Sequence, residues 1–278
     1  ELQMAHAAAE RVMGLLNTEP EIQDRPGLSD KCPHLQGAVE FENVSFAYNP
    51  LEPVLEDFNL KVKPGQTVAL VGETGSGKST IVNLACRFYE PTKGRVLIDG
   101  VDYRDRPLSW LQRNLGYVLQ SPHLFSGNIR ENIRYGNLKA SDAEVEQAAR
   151  LVNAHDFIVN LPQGYDSEVG EGGGLLSTGQ KQLISFARAV LADPKIFVLD
   201  EATSSIDTET EMLIQDAIKT VLEGRTSFII AHRLSTVRSA DVILVIRDGK
   251  VQEKGNHTEL MAAKGYYYRL YTNQFLEG

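Results

Sequence analysis

The 278-residue sequence contains only two cysteines, and its basic residues are not grouped into runs. Cys32 and Cys86 lie far apart and lack the spacing of a metal site, which suits a reduced protein in a cytosolic environment. Acidic residues outnumber basic ones by 37 to 28, for a formal net charge of −9. An acidic surface argues against nucleic acid as the main partner.

A signal peptide and an internal repeat are also absent from the sequence. Residues 1–17 are rich in helix formers, and their apolar positions roughly follow helical spacing. With Glu10 and Arg11 inside, this stretch is not a membrane span, which needs about 20 apolar residues. We predict a helix here, followed by an extended, proline-containing linker over residues 18–36.

The run from Gly72 to Ser79, Gly-Glu-Thr-Gly-Ser-Gly-Lys-Ser, fits the phosphate-loop pattern. Residues 67–71 before it are typical of a buried strand and residues 80–88 after it of a helix, which is the context the motif needs. Glycines let the backbone N–H groups point at an anion, and a helix start adds a positive dipole end. We expect Lys78 to reach the β- and γ-phosphates and Ser79 to bind Mg²⁺. The other nucleotide-binding positions predicted here are Gly72, Thr74, Gly75, Ser76, Gly77 and Thr80.

A second apolar run, residues 196–199, ends in Asp200 and Glu201. Such a run is typical of a buried parallel strand, and ligands bind at the C-terminal ends of strands in open α/β sheets. Beside a phosphate loop, Asp200 is a candidate Mg²⁺ ligand and Glu201 a candidate to polarise the water that attacks the γ-phosphate. Two carboxylates that cap the next helix are the alternative interpretation, and the phosphate loop disfavours it.

Residues 176–180, Leu-Ser-Thr-Gly-Gln, precede a helical stretch from Lys181 to Ala192. Ser177 is a good N-cap residue, and a helix start with small residues is a second potential anion site. For this segment alone, helix capping is the favoured interpretation.

Further patterns predict the remaining elements. Alternation over residues 37–66 predicts a β-rich edge that carries Tyr48, and Asp248-Gly249 predicts a tight hairpin turn. Residues 258–275 are expected to form one terminal helix, whose three tyrosines at 266–268 are assigned to packing. Strands are expected at 195–200, 226–231 and 242–247, and a helix at 143–152.

In combination, these segments resemble the ATP-binding-cassette (ABC) ATPases across residues 37–260. The five-residue signature at 176–180 lies just upstream of Leu-Asp-Glu, in the family's order. The resemblance implies an α/β fold: a P-loop NTPase core with a mixed, mainly parallel sheet, an antiparallel β subdomain and a helical insert at about 121–192. It also implies hydrolysis of ATP with Mg²⁺ as cofactor.

The resemblance assigns roles to single residues. Tyr48 matches the aromatic that stacks on adenine, with a core-facing strand residue as the alternative. Gln120 matches the glutamine that contacts Mg²⁺ and senses the transmembrane partner. His232 matches the histidine at the γ-phosphate, and with Glu201 it is predicted to be catalytic. Glu73, inside the phosphate loop, is expected to face solvent and receives no role.

The signature residues match a surface that acts on a second chain. Ser177, Gly179 and Gln180 match the segment that closes over a γ-phosphate bound by the opposite subunit, and Asp207 matches a loop that crosses to that subunit. Two chains would therefore sandwich two ATP molecules head to tail. Thr178 stands where the family usually has glycine, and its β-branched side chain restricts the backbone there.

Residues 120–133 and 168–174 resemble exporter segments that contact the intracellular loops of the membrane domain. We expect residues 1–36 to be a helix and linker from a membrane domain, and residues 37–278 to be an exporter's ABC ATPase domain at the cytoplasmic face of the cell membrane. The expected partners are a second ABC ATPase domain and the transmembrane domain of the same polypeptide, and not nucleic acid.

Two alternatives are kept. An importer's ATPase subunit is disfavoured by the N-terminal lead-in and by the short tail after His232. A non-transport ABC protein of DNA repair or translation would need a long coiled-coil insert or a second cassette, and the sequence has neither. The sequence assigns neither the cargo nor a choice between homodimer and heterodimer.

Overall fold

The computed structural model describes residues 2–29, 32–200, 207–231 and 234–275. The strands in this part are β1 (Val39–Phe46), β2 (Leu55–Val62), β3 (Thr67–Val71), β4 (Lys93–Ile98), β5 (Val101–Asp102), β6 (Leu115–Val118), β7 (Ile196–Asp200), β8 (Thr226–Ile230), β9 (Val242–Arg247) and β10 (Lys250–Gly255). The α-helices are α1 (Leu2–Leu16), α2 (Lys78–Ala85), α3 (Leu108–Arg113), α4 (Ile129–Arg134), α5 (Asp142–Leu151), α6 (His155–Val159), α7 (Thr178–Ala192), α8 (Thr208–Leu222), α9 (Leu234–Ser239), α10 (His257–Ala263) and α11 (Tyr266–Phe275).

The strands form two sheets. One has four strands in the order β2-β1-β4-β5, all antiparallel. The other has six strands in the order β10-β9-β3-β8-β7-β6, in which β9 to β6 run parallel and only β10 is antiparallel to its neighbour. The predicted fold class, a mainly parallel mixed sheet with an antiparallel β subdomain, is confirmed.

Each parallel strand contributes to two hydrophobic cores. In β3, Ala69 and Val71 join the core that includes α5, α7 and α8, whereas Val68 and Leu70 join the core that includes α2 and the strands β1 and β2. Successive side chains of a strand point to opposite faces, and burial of both faces is typical of parallel sheets. Helix α2, which follows the phosphate loop, is therefore packed between the two sheets.

The predicted single terminal helix is wrong, because the structure has two helices there. Helix α10 ends at Lys264, which adopts a left-handed conformation (φ 51°). A Cβ at Gly265 would overlap the carboxylate of Glu253. That carboxylate accepts the main-chain N–H groups of Tyr266 and Tyr267, so it caps the start of α11.

The predicted hairpin turn between β9 and β10 is confirmed. Asp248 and Gly249 both have positive φ (48° and 69°), as the tight turns of two-residue hairpins require. The predicted helix at 143–152 and the predicted strand at 242–247 also correspond to α5 and β9.

The predicted linker is anchored to the phosphate-loop helix. The guanidinium of Arg87, just beyond α2, is buried and donates to Glu90 (2.9 Å) and to the carbonyl oxygens of Tyr103 (3.1 Å) and Gln23 (3.4 Å). Asp24 lies 3.7 Å from the same guanidinium. Part of the linker is therefore attached to the end of α2 by a buried charge. Among the described helices, none is both long and apolar enough to cross a membrane.

Candidate nucleotide site

The phosphate loop lies between the end of β3 and the start of α2. Gly72, Gly75 and Gly77 have φ values of 151°, 82° and 103°, in the region that L side chains rarely adopt. A Cβ at Gly72 would also overlap the carbonyl oxygen of Ile246. The loop thus needs its glycines both for backbone conformation and for close packing on β9.

Lys78 is the buried cation of this loop. Its Nζ donates to the carbonyl oxygens of Gly72 (2.8 Å) and Glu73 (2.7 Å). Burial lowers the pKa of Lys78, and the charge of Asp200 partly offsets that shift. The ammonium is therefore held across the loop beside a carboxylate from another strand.

Most of the predicted site residues line one cavity of about 520 Å³. The residues that line it are Tyr48, Val54, Thr74, Gly75, Gly77, Lys78, Ser79, Thr80, Gln120, Asp200 and Ile230. Ser76 lies in the loop behind them, and its Oγ is buried without a hydrogen-bond partner among the described residues. The predicted catalytic residues Glu201 and His232 lie outside the described residues.

Sheet topology brings these residues together from distant parts of the sequence. The phosphate loop follows β3, Asp200 ends β7, and Gln120 comes two residues after β6. These strands are parallel and share one sheet, so their C-terminal ends meet at the same edge. The predicted Mg²⁺ ligands Ser79, Gln120 and Asp200 meet there.

Tyr48 stands at the rim of the cavity. Its ring packs edge-on against Phe46 (4.9 Å between centroids) and Tyr89 (5.0 Å), and its hydroxyl lies 3.3 Å from Oγ1 of Thr80. The residue is 51% exposed, so the alternative of a core-facing strand residue does not hold.

The described signature residues Ser177, Gly179 and Gln180 do not line this cavity. The Ser177 side chain is the N-cap of α7, and it forms a capping box with Gln180 (3.2 Å and 3.0 Å). Gly179 is buried in the first turn. Asp207 caps α8 by accepting the N–H of Thr210 (2.9 Å), which lowers the pKa of its carboxyl group. Within one chain, Ser177, Gln180 and Asp207 therefore take part in helix caps.

The two exporter-like stretches contact each other. The N–H of Ile129 donates to Ser167 (3.1 Å), and that of Val169 donates to Gly127 (3.0 Å), around a bridge between Asn128 and Glu168. Beside them is a groove of about 680 Å³ between β6, α7, the end of α3 and the residues just after α4, lined in part by Leu119, His123, Phe125, Tyr135 and Arg188.

The pattern-based assignment missed one contact of the loop. Tyr266, assigned to packing within a tyrosine cluster, donates its hydroxyl to Glu73 (2.7 Å). The neighbouring Tyr267 is fully buried, as the packing assignment predicts. No local pattern could reveal the first contact, because the two residues are 193 positions apart.

A larger concavity of about 920 Å³ lies beside β2 and β10. Its lining includes Asp57, Lys93 and Lys250 but no residue of the phosphate loop. The chemistry for holding phosphates is therefore in the smaller cavity.

Comparison with known proteins shows the family of this chain. The family described as ABC transporter matches residues 55–204. The chain is 51% identical over 269 residues to a fatty acid ABC transporter ATP-binding/permease protein of Mycobacterium bovis, covering 97% of this chain and 42% of that protein. It is 48% identical over 276 residues to an ATP-dependent lipid A-core flippase of Syntrophus aciditrophicus, covering 99% of this chain and 46% of that protein.

Among solved structures, a bacterial Atm1-family ABC exporter with ATP bound superposes with a TM-score of 0.89 at 40% identity, covering 98% of this chain and 48% of that one. The chain thus spans about half the length of these relatives. The exporter resemblance and the assignment to a family of ATPases are confirmed. This chain belongs to the ABC transporter family, as an ATP-binding domain homologous to those of ABC exporters.

Proposed function

We propose that this chain is the ATPase domain of an ABC exporter and works at the cytoplasmic face of the cell membrane, where it drives substrate efflux. The observation that carries the proposal is the shared cavity: a phosphate loop with a buried lysine opens onto Ser79, Gln120 and Asp200. A flippase and an exporter among the relatives disfavour the importer alternative.

The loop would bind ATP by its triphosphate. Main-chain N–H groups at the start of α2 and the ammonium of Lys78 supply positive charge, while Tyr48 at the rim offers a half-exposed ring to the adenine. Thr74, Ser76 and Thr80 contribute further polar groups.

The residues present also fit Mg²⁺. Ser79, Gln120 and Asp200 supply one hydroxyl, one amide and one carboxylate to the same cavity. Mg²⁺ takes oxygen ligands, usually one or two carboxylates together with substrate phosphates. When bound, the ion would neutralise charge on the phosphates. The described residues contain no cluster of three or more His, Cys, Asp or Glu.

Hydrolysis needs a group that orients and polarises water. We assign this role to Glu201, which follows Asp200 in sequence, and assign His232 to the γ-phosphate. A carboxylate at the end of β7 would act on water at the same sheet edge that receives the phosphates.

A complete site would use two chains. Ser177, Gly179 and Gln180 start a helix away from the cavity, and the helix start has N–H groups and a dipole that suit an anion. We therefore propose that each signature closes over the γ-phosphate held by the partner chain, with Asp207 crossing at the same interface. The partner is a second ABC ATPase domain.

The groove beside Gln120 is the proposed contact with a transmembrane domain of the same polypeptide. Phe125 and Tyr135 are 43% and 58% exposed, and their ring centroids are 4.5 Å apart. The guanidinium of Arg188 lies beside this pair, 5.2 and 5.8 Å from the two centroids. An apolar groove with a central cation would accept a short helix with an acidic or carbonyl-rich end.

The proposal is tested by replacing Lys78 and measuring ATP binding and hydrolysis. Lys78→Ala removes a charge-assisted contact to the phosphates and should abolish most ATP binding and hydrolysis by the purified chain. Lys61→Ala, on the exposed surface of β2, is the matched control and should behave like the parent. Parental binding by Lys78→Ala would refute the nucleotide site.

A further inference from the structure

The contact between the last helix and the phosphate loop has no place in the proposed mechanism. At the start of α11, the hydroxyl of Tyr266 donates to Oε1 of Glu73 (2.7 Å). Glu73 is exposed, and its main-chain oxygen accepts the ammonium of Lys78 (2.7 Å). One residue of the loop therefore contacts both the phosphate-binding lysine, Lys78, and the C-terminal helix.

The C-terminal segment holds the loop at two further points. The N–H of Gly249, in the β9–β10 turn, donates to the carbonyl of Ser76 (3.1 Å), and the carbonyl of Ile246 packs against Gly72. Both contacts are made by backbone atoms, so substitution of a side chain does not remove the contacting groups. The contact between Tyr266 and Glu73 is the one made by side chains.

Tyr266 is itself held in place. Glu253, on β10, accepts its main-chain N–H, and the guanidinium groups of Arg247 and Arg269 lie 5.6 and 5.7 Å from the centroid of its ring. The hydrogen bond to Glu73 raises the pKa of Tyr266, and the hydroxyl is the donor to the Glu73 carboxylate. The ring thus presents a donor at a defined position beside the loop.

A carboxylate in a phosphate loop is a competitor for phosphate. The N–H groups of the loop, the start of α2 and the ammonium of Lys78 attract any anion. If the Glu73 carboxylate were free, it would repel an approaching triphosphate or occupy part of its site. The hydrogen bond to Tyr266 instead keeps this carboxylate on the side of the loop that faces α11.

We propose that Tyr266 is a positioning residue for nucleotide binding: it keeps the loop's own carboxylate, Glu73, away from the N–H groups that receive the phosphates. This inference rests on the proposed function, because it requires the loop to bind ATP. It adds a residue of the C-terminal helix to those that set nucleotide affinity.

The first experiment is titration calorimetry of the 278-residue chain with Mg-ATP. Tyr266→Phe keeps the ring and its contacts with the two arginines but loses the donor. A hydrogen bond to a charged group is stronger than one between neutral groups, and solvent exposure weakens it, so we expect Kd to rise about two- to fivefold. Tyr268→Phe removes a hydroxyl two residues further along the same helix and should leave Kd unchanged. An unchanged Kd for Tyr266→Phe would overturn the inference.

The second experiment tests whether Tyr266 acts on the charge of Glu73 or only supports the loop mechanically. In Glu73→Gln, the side chain can still accept the tyrosine hydroxyl but carries no charge. If the carboxylate is the harmful group, Tyr266→Phe in this background should not raise Kd. The same two- to fivefold loss in both backgrounds would show a mechanical brace and overturn the proposal.

Two reference measurements complete the design. The thermal unfolding midpoint of Tyr266→Phe without nucleotide should match that of the parent, and a marked fall would assign the loss to stability and reject the proposal. Lys78→Ala should lose Mg-ATP binding. If it does not, the proposed function itself fails; if it does while Tyr266→Phe binds like the parent, only the present inference fails.

Discussion

Lys78 is both buried and positively charged, and its surroundings shift its pKa in opposite directions. Burial disfavours the ammonium and lowers its pKa, while Asp200 and two loop carbonyls stabilise it. A bound triphosphate would add several negative charges and raise the pKa again. Binding and protonation of this residue are therefore linked.

This linkage predicts the direction of a pH effect. Between the lowered pKa of Lys78 in the free chain and its higher pKa beside phosphates, binding takes up a proton, so affinity should weaken as pH rises through the range between these two pKa values. Calorimetry in two buffers of different ionisation enthalpy would show the uptake. Lys78→Arg does not titrate in this range and should lose it. An uptake that persists in Lys78→Arg would assign the proton to another group.

Glu201 is the residue expected to control the chemical step. Glu201→Gln keeps the shape but loses the negative charge that polarises water, so hydrolysis should fall by a factor of roughly 10²–10⁴. Mg-ATP binding should survive, because Lys78, Ser79 and Asp200 are unchanged. The measurements are phosphate release and nucleotide titration on the same preparation. Parental turnover would show that another residue is the base.

At the scale of elements, a buried amide organises the segment between Gln120 and α4. The side chain of Asn132 donates to the carbonyl oxygens of Phe125 (2.9 Å) and Asn128 (3.0 Å), and it accepts the N–H of Phe125 (2.9 Å) and a guanidinium N–H of Arg188 (3.0 Å). This one side chain therefore forms hydrogen bonds with the backbone of the turn before α4 and also with Arg188 of α7. This positions the exposed Phe125 beside the proposed membrane-domain groove.

Asn132→Ala should be strongly destabilising. It leaves part-buried backbone groups of Phe125 and the half-buried guanidinium of Arg188 without this partner, and a buried unsatisfied group costs about 1–3 kcal/mol. We expect a loss of about 3 kcal/mol in the free energy of unfolding, measured by denaturant titration. Asn137→Ala removes an exposed acceptor for Lys139 nearby and should cost under about 1 kcal/mol. Similar losses for both variants would contradict the role given to Asn132.

At the scale of the whole molecule, the proposed active site is divided between two copies of the fold. The phosphate loop, Gln120 and Asp200 meet in one cavity, while the signature caps a helix elsewhere. Turnover by the isolated chain should therefore rise with protein concentration. A specific activity that stays flat over a hundredfold dilution would count against a shared site.

The dimer itself can be trapped. With hydrolysis stopped, Glu201→Gln should elute earlier in size-exclusion chromatography when Mg-ATP is present. Adding Ser177→Arg places a bulky side chain against the partner's phosphate and should abolish that species while nucleotide still binds to the monomer. Ser141→Arg is the matched control, because Ser141 is also the N-cap of a helix with a capping box, and it should keep the dimer. A dimer that persists with Ser177→Arg would refute the head-to-tail arrangement.

Local patterns in the sequence identified the phosphate loop, the strand that ends in Asp200, the cap at Ser177 and the hairpin turn at Asp248-Gly249. These features depend on neighbouring residues, because glycine conformations, caps and alternation of apolar residues are short-range properties. The pattern failed at residues 258–275, where the break depends on Glu253, a residue on another element that caps the start of α11.

The sequence by itself determined the family, the fold class and the chemical groups of the site, because their types and order are specific. Only the tertiary structure decided which of them meet: the parallel order β3-β8-β7-β6 places Asp200 and Gln120 beside Lys78, and the final helix places Tyr266 on Glu73. Contacts between residues far apart in sequence depend on how sheets and helices pack. That packing is decided by the burial of both sheet faces together, which no single segment encodes.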